Sequence, residues 1–477
     1  MMMFAKDRRT GINFRMGKEK KGSFIMDLIA ILNSIDSVVW GPPLIILLLG
    51  TGIFLSLRLG MIQVTKLPMA LRLIFKAQNK GSGDVSSFRA LCVALAATVG
   101  TGNIVGVATA VKLGGPGALF WMWVAAFFGM ATKYAEGLLA VKYRTIDTNG
   151  EVAGGPMYYI ENGLGKKWKP LAVFFALSGV LVALLGIGTF PQVNAVLDSV
   201  NVAFGVPVEY TAIIVTVLVA MITIGGLQSI ARAASAIIPF MAFLYIVICL
   251  IVLAINVEQI PAAIALVIES AFTGHAAAGG FAGSTIMLAM QAGMARGMFS
   301  NESGLGSAPI VAAAAKTKWP AEQGLISMTG TFIDTLIICM MTGLTLILTG
   351  VWTGPLAGAA MTSSVYSMYF GDLGAQILTA CLVLFAFTTT LGWNYYGERC
   401  CYYLFGAKAI KVYRLLFIAA VGSTVFLHLD AIWILADIVN GLMAIPNLIA
   451  LLGLSGVIVY ETKKYFDHLK AKEAKQK

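Results

Sequence analysis

The stretch Ala96-Ala97-Thr98-Val99-Gly100-Thr101-Gly102-Asn103-Ile104-Val105-Gly106 interrupts an apolar run that otherwise has the length of a membrane-crossing helix. Glycine costs about 1 kcal/mol relative to alanine inside a helix, and main chain left unpaired in hydrocarbon costs several more unless something polar satisfies it. Such a break is tolerated where it lines a cavity that holds an ion or a polar solute. A second run is broken in the same way, by Gln291-Ala-Gly-Met-Ala-Arg-Gly-Met-Phe-Ser-Asn-Glu-Ser-Gly-Leu-Gly-Ser307. The breaks fall in the second and seventh spans, and an odd offset makes the two helices cross in opposite senses. An inverted repeat of two five-helix units produces that parity, with a site between the broken helices near the bilayer midplane. The competing reading is that these glycines permit close helix packing in the small-xxx-small manner.

Working outward, apolar residues make up 58% of the 477-residue chain and charged residues 12%, with a mean hydropathy of +0.84. A water-soluble fold could not cover that much apolar surface. About eleven runs, each long enough to cross a hydrocarbon core of about 30 Å, lie near 37–57, 88–112, 116–142, 170–198, 208–226, 230–255, 282–316 (interrupted), 322–350, 373–399, 411–428 and 431–460. The expected architecture is an all-α integral membrane protein: a segment 1–36, an extra first span 37–57, five-helix repeats over 88–255 and 282–460, and a basic tail 461–477.

The net charge of +11 does not indicate nucleic acid, because Lys and Arg sit in loops between apolar runs and no basic groove with interleaved aromatics occurs. Six cysteines form no C-x-x-C units, and the three histidines, His275, His428 and His468, are isolated, which argues against a disulfide framework or a histidine-based metal centre. Basic residues alternate between connections: Arg58 to Arg89, Lys142 to Lys169, Arg232, Lys316 and Lys318, Arg399 to Arg414, and the tail. Loops rich in Lys and Arg stay cytoplasmic, so an external N-terminus and a cytoplasmic C-terminus in a bacterial plasma membrane are expected. The basic segment before residue 26 breaks that alternation, and a translation start at Met26 would remove the conflict. The segment lacks the apolar core of a secretory signal peptide.

The strings Thr98–Gly106, Gly154-Gly-Pro-Met-Tyr-Tyr-Ile160, Gly293–Ser307 and Val39-Trp-Gly-Pro-Pro43 resemble the alanine or glycine:cation symporter family over roughly residues 30–460. That resemblance implies sodium-coupled uptake, proton-coupled in some relatives, of alanine or glycine. It also implies a leucine-transporter-like fold with one extra N-terminal helix. A zwitterion needs N–H groups for its carboxylate and carbonyl or amide oxygens for its ammonium, and a broken helix offers both. Thr98, Gly100, Thr101 and Gly102 are therefore expected at the substrate, faced by Gln291, Gly293 and Met294, with Asn103 and Gln192 completing the site. For Gln192, a buried bond between helices is the competing reading. Glycine-lined walls favour a small side chain.

On the ninth span, the hydroxyls of Thr389 and Thr390 share a helix side with the carbonyl of Ala386, one turn earlier. Na⁺ is a hard cation that such oxygens satisfy, although threonines in membrane helices commonly bond back to the preceding turn. The resemblance implies that carbonyls of Ala96 and Val99 supply the rest of a sodium site. A second sodium site is in doubt, because Ala289 stands where that fold often places a hydroxyl. Charges within spans should face a partner or water. Lys133 and Glu136 are expected to pair, Arg296 and Glu302 to form an inner-mouth gate or a static pair, and Asp334 is a candidate coupling or proton-sensitive carboxylate.

The reading is a secondary active transporter, with a small neutral amino acid, a coupling cation (Na⁺, or H⁺) and the lipid bilayer as partners. No organic cofactor is expected, and a monomer is the expected unit. No H-E-x-x-H, G-x-S-x-G or Walker sequence occurs, which argues against a membrane-embedded enzyme or an ATP-driven pump. A channel would favour a symmetric pore-lining repeat.

Overall fold

The computed structural model of the chain describes residues 29–76, 81–273, 286–426 and 430–475. The expectations for residues 1–25, and the first residues of the 282–316 run, lie outside them. Helices dominate because a bilayer offers the main chain no partner but itself. Helix α1 (Ile29–Arg58) is followed by a short amphipathic helix, α2 (Leu67–Lys76). Ser86 then caps α3 (Ser87–Thr98), its hydroxyl accepting from the Arg89 N–H at 3.3 Å. The chain bends by 52° before α4 (Gly102–Gly114). The bend falls at Val99, whose ψ of 92° is extended, so the first interruption is a true break.

The remainder of the first half comprises α5 (Gly117–Lys142), α6 (Lys169–Leu185), α7 (Phe190–Phe204), α8 (Val208–Thr223), α9 (Gly226–Ile255) and α10 (Ile260–Thr273). The second half holds α11 (Ile286–Asn301), α12 (Ala308–Ala312), α13 (Pro320–Leu348), α14 (Gly358–Phe370), α15 (Asp372–Phe405), α16 (Ala409–Phe426), α17 (Asp430–Gly453) and α18 (Ser455–Ala474). Among the described residues, eight helices are long and apolar enough to cross a membrane, with α6 and α7 together counting as one, or nine if α3 and α4 make one broken span. The shorter α8 and the interrupted pair α11 and α12 take the other two positions of the expected eleven.

Two runs and two connections differ from the sequence reading. The run 170–198 divides into α6 and α7 between Gly186 and Thr189, and Pro191 lies in the first turn of α7, where its missing N–H leaves no helical bond unmade. The last apolar run stops at Gly453, after which α18 is a separate, highly charged helix. Finally, α10 and α14 are helices where connections were expected.

Burial sorts the helices. The apolar window of α5 is 83% buried, against 33% for α9 and 22% for α16, so α5 is the axis of the bundle and α9 and α16 face lipid. Small residues let neighbours approach α5 closely: Gly129 lies against Ser303, Gly137 against Ser327, and Gly324 of α13 against the carbonyl of Tyr134.

One end of the bundle is tied by main chain. Val85, ahead of α3, bridges in parallel to Ala315, beyond α12, with the Lys316 N–H donating to the Val85 carbonyl at 2.8 Å. Arg144 clamps the same place, donating to the carbonyls of Ser82, Ala313 and Ala315 at 2.8 Å and of Thr317 at 3.0 Å. Burial lowers the pKa of its guanidinium and the nearby Asp84 raises it. A two-stranded hairpin, β1 (Thr145–Ile146) with β2 (Val152–Ala153), hangs from the end of α5 beside it.

Candidate functional site

Three helices converge on the first break. Main-chain N–H groups released by the bend need acceptors, and polar side chains supply them. Gly100 N–H donates to Asn103 Oδ1 at 2.8 Å, and Thr101 N–H donates to Gln192 Oε1 of α7 at 3.3 Å. From the opposite side α15 brings Thr389, whose hydroxyl donates to the Phe385 carbonyl at 2.9 Å and lies 3.5 Å from the Val99 carbonyl oxygen. A Cβ on Gly100 would collide with Thr389 Oγ1 and come within 3.3 Å of Gln192 Oε1. Glycine is needed there because other side chains fill the space. Thr98, Gly100, Thr101, Gly102, Asn103, Gln192 and Thr389 are all buried.

The other face of this break meets α11 and α13. A Cβ on Gly102 would lie 3.1 Å from Ser300 Cα. Asn103 Nδ2 donates to Asp334 Oδ1 at 2.8 Å, while Asp334 Oδ2 accepts from Ser300 Oγ at 2.9 Å and Thr335 Oγ1 at 2.7 Å. Asp334 is fully buried and, among the described residues, makes no ion pair with Lys or Arg. Both partners sit in π-helical turns, Gly102–Gly106 and Phe332–Cys339, a widened geometry frequent at functional sites.

Of the expected ion ligands, Val99 and Thr389 come together. Thr390 instead donates to the Ala386 carbonyl at 3.0 Å, so those two groups satisfy each other within α15. Ala96 is buried one turn before Val99, where α3 packs on α15 through Ala97 and Gly392. Thr98 likewise turns its hydroxyl back to the Ala94 carbonyl at 3.2 Å.

The second break lies later than the glycine pattern indicated. Helix α11 runs unbroken to Asn301, and the chain leaves helical geometry at Glu302, with Gly304 and Gly306 at φ of 91° and 83°. Gln291, Gly293 and Met294 are therefore in regular helix, away from the break. Gly293 serves close packing: a Cβ there would collide with the carbonyl oxygen of Ala118 on α5. Tight crossing outweighs the modest helix cost of glycine at this position.

Charged side chains of α5 satisfy the main chain at this second break. Lys133 Nζ donates to the carbonyls of Asn301 at 2.9 Å and Glu302 at 3.2 Å. Glu136 Oε1 accepts from the Gly304 N–H at 3.0 Å and from Asn447 Nδ2 at 2.6 Å. The expected Lys133–Glu136 pair is thus replaced by two separate caps on opposite polarities of broken helix. Glu302, at φ 55°, accepts from Trp393 Nε1 at 3.0 Å and from Ser307 Oγ. Arg296 does not reach it and pairs with Asp437 at 3.4 Å.

Sequence reasoning missed Ser300, Trp393 and Asn447 as parts of the site. Trp393 follows Thr389 by one helical turn, and Asn447 follows Pro446 in a span with few polar residues. Both are signals that could have marked them. Among the described residues no three His, Cys, Asp or Glu side chains group as metal ligands.

Comparison with known proteins adds to this geometry. A family model described as "Sodium:alanine symporter family" matches residues 26–477. The chain is 61% identical to an uncharacterized transporter of Haemophilus influenzae, over 93% of this chain and 98% of that one. It is 51% identical to the sodium/alanine symporter AgcS of Methanococcus maripaludis, over 94% of this chain and 100% of that one. Among solved structures, MhsT in complex with L-phenylalanine superposes with a TM-score of 0.55 at 11% identity, covering 80% of this chain and 93% of that one. That likeness shows a leucine-transporter-like fold.

Proposed function

This chain belongs to the sodium:alanine symporter family, and from that premise we propose that it carries alanine, and with it glycine, into the cell together with Na⁺ by alternating access. It is a multi-spanning membrane transporter and not an enzyme. The observation that carries the finer reading is the first break, where two main-chain N–H groups are held by the side-chain amides of Asn103 and Gln192. A substrate carboxylate is a stronger acceptor than a neutral amide and takes over those N–H groups when Gln192 turns aside. Gln192 Oε1, once released, is an acceptor for the substrate ammonium. The space beside Gly100 is already occupied by Thr389 and Gln192, which supports a substrate with a small side chain.

Na⁺ is assigned to the other end of the same break, between the Val99 carbonyl and the Thr389 hydroxyl, with Ala96, Ala386 and Thr390 contributing when Thr390 releases its own-helix bond. Asp334 supplies the fixed negative charge on the far side. A buried carboxylate with hydrogen bonds and, among the described residues, no ion pair with Lys or Arg favours proton coupling as a second reading, since it can be neutralised by either a cation or a proton. The proposed orientation is that of the basic connections, with the N-terminus external and the tail cytoplasmic, and the proposed unit is a monomer.

Uptake of radiolabelled alanine into proteoliposomes tests this, with an inward Na⁺ gradient, an inward proton gradient, or neither. Concentrative uptake with Na⁺ alone is expected, with unlabelled glycine competing and larger amino acids failing to compete. Uptake driven equally by protons in Na⁺-free buffer selects the second reading.

A further inference from the structure

A cavity of about 800 Å³ opens at the end of the bundle where the chain is tied across the two broken spans. Its walls come from four separate segments: Ser82 ahead of α3, Lys142 and Arg144 at the end of α5, Thr317 to Trp319 beyond α12, and Glu461 and Lys464 of α18. Four of these residues are cationic and one is anionic. Glu461 is already committed, accepting from Lys142 Nζ at 2.6 Å. Arg144 makes all its hydrogen bonds to neutral acceptors, four carbonyls and the Ser82 hydroxyl. Lys318 and Lys464 are exposed at the rim. Asp84 stands near Arg144, so Lys318 and Lys464 are the two cations of the cavity that no carboxylate balances among the described residues.

Aromatic residues set its depth. Trp319 lines the cavity and packs on Tyr465 at 5.7 Å and on His468 at 4.7 Å between ring centroids, while Lys66 Nζ stands 4.7 Å above the ring of Phe466. Trp and Tyr gather at the level of lipid headgroups. The buried side of α18, Ile458 and Tyr465, meets the bundle, and Lys463, Lys464 and Lys470 are exposed. A basic pocket between helices at headgroup depth is suited to a phosphate-bearing anion.

We propose that this cavity is a binding site for a phosphate-bearing anion, held by Lys318 and Lys464 beside the tie that Arg144 makes between the two broken spans. The phosphate is carried by a headgroup of the adjoining leaflet or comes free from solution; the chemistry recognised is the same. The site is separate from the proposed substrate site and does not depend on which solute is carried.

The test uses the purified, delipidated full chain in native mass spectrometry, titrated with phosphatidylglycerol or with phosphatidylcholine of the same acyl chains. Retained phosphatidylglycerol adducts and weaker phosphatidylcholine adducts are expected. Removing two cations in the double variant Lys318→Ala/Lys464→Ala should weaken phosphatidylglycerol binding about fivefold per cation, roughly 25-fold together. The control Lys408→Ala/Lys411→Ala removes two exposed lysines outside the cavity and should bind as the unaltered chain does. A single sharp size-exclusion peak and an unchanged thermal midpoint for both double variants verify folding. Competition by inorganic phosphate assigns the site to a free anion, and its failure to compete assigns it to a lipid; either result supports the proposal. Equal affinity for both lipids, or equal losses in the two double variants, overturns it.

Discussion

The hydroxyl of Thr389 lies 3.5 Å from the carbonyl oxygen of Val99, joining the middle of α15 to the one turn of α3 that has lost its helical bonds. Its neighbour Thr390 makes no such contact and donates to the Ala386 carbonyl in its own helix. The two threonines should therefore differ. Thr389→Val removes an oxygen already aimed at the break, at a cost of about 1 to 3 kcal/mol by comparison with an unmet buried polar group. The Na⁺ concentration for half-maximal uptake should rise accordingly, while Thr390→Val shifts it less. A Na⁺ titration at saturating alanine measures both, and an unchanged midpoint in Thr389→Val takes that residue out of the ion site.

Gln192 is the only side chain outside the α3–α4 segment seen holding an N–H of the first break among the described residues. Gln192→Met keeps the length of the side chain and deletes its amide. Loss of the acceptor should raise KM for alanine by roughly 10-fold or more, the equivalent of about 1.4 kcal/mol, with the Na⁺ midpoint nearly unchanged. If Gln192 only joins helices, the variant instead yields less folded protein whose KM is normal.

Gly100, at the first break, and Gly293, inside α11, predict different behaviour. A methyl at position 100 enters the space between Thr389 and Gln192, and overpacking costs about 1 to 3 kcal/mol. Gly100→Ala should depress alanine uptake more than glycine uptake. A methyl at position 293 meets the main chain of Ala118, far from the break, so Gly293→Ala should lower the yield of folded protein and reduce both uptakes in proportion. Rates for both substrates, normalised to folded protein in the membrane, separate the cases.

Gly100 and Gly293 also explain how far the sequence could be read. The count of spans and the first break follow from local features, hydropathy and a glycine pair, whereas the meeting of Val99 with Thr389 rests on the family resemblance and on no local pattern. The second break was misplaced because glycine has two uses that look alike in sequence. In α11 it permits a close crossing, and the break itself begins at Glu302, a residue with no helix-breaking signature. Lys133 and Glu136 invited a pairing because they are three apart, yet each caps main chain of another helix. Contacts between α5 and α11 span about 170 residues, and no local pattern announces them.

Orientation is the next expectation. Lys76 ends α2 and Lys167 precedes α6, and both belong to basic connections that should face the cytoplasm. Single cysteines placed there in a cysteine-free background should resist impermeant maleimides in intact cells and react after permeabilisation. Labelling in intact cells reverses the orientation and, with it, the direction assigned to the two ends of the bundle.

Asp334 offers the sharpest test of coupling. Its carboxylate gathers Asn103, Ser300 and Thr335 around one point beside the first break, and it has no cationic side chain as a partner among the described residues. Asp334→Asn keeps the shape and an acceptor oxygen but removes the charge. If the charge compensates the coupling cation, the variant should bind alanine and exchange it across the membrane but fail to concentrate it against a gradient. Exchange measured as counterflow of labelled alanine should persist at a rate within about 10-fold of the unaltered protein, a loss of about 1.4 kcal/mol. If Asp334 is only a hydrogen-bond hub, the amide's two donors face the donors of Asn103, Ser300 and Thr335, and the cluster is disrupted as a whole. Counterflow and concentrative uptake would then fall together. Retained Na⁺-driven accumulation in Asp334→Asn would remove the carboxylate from the coupling step altogether.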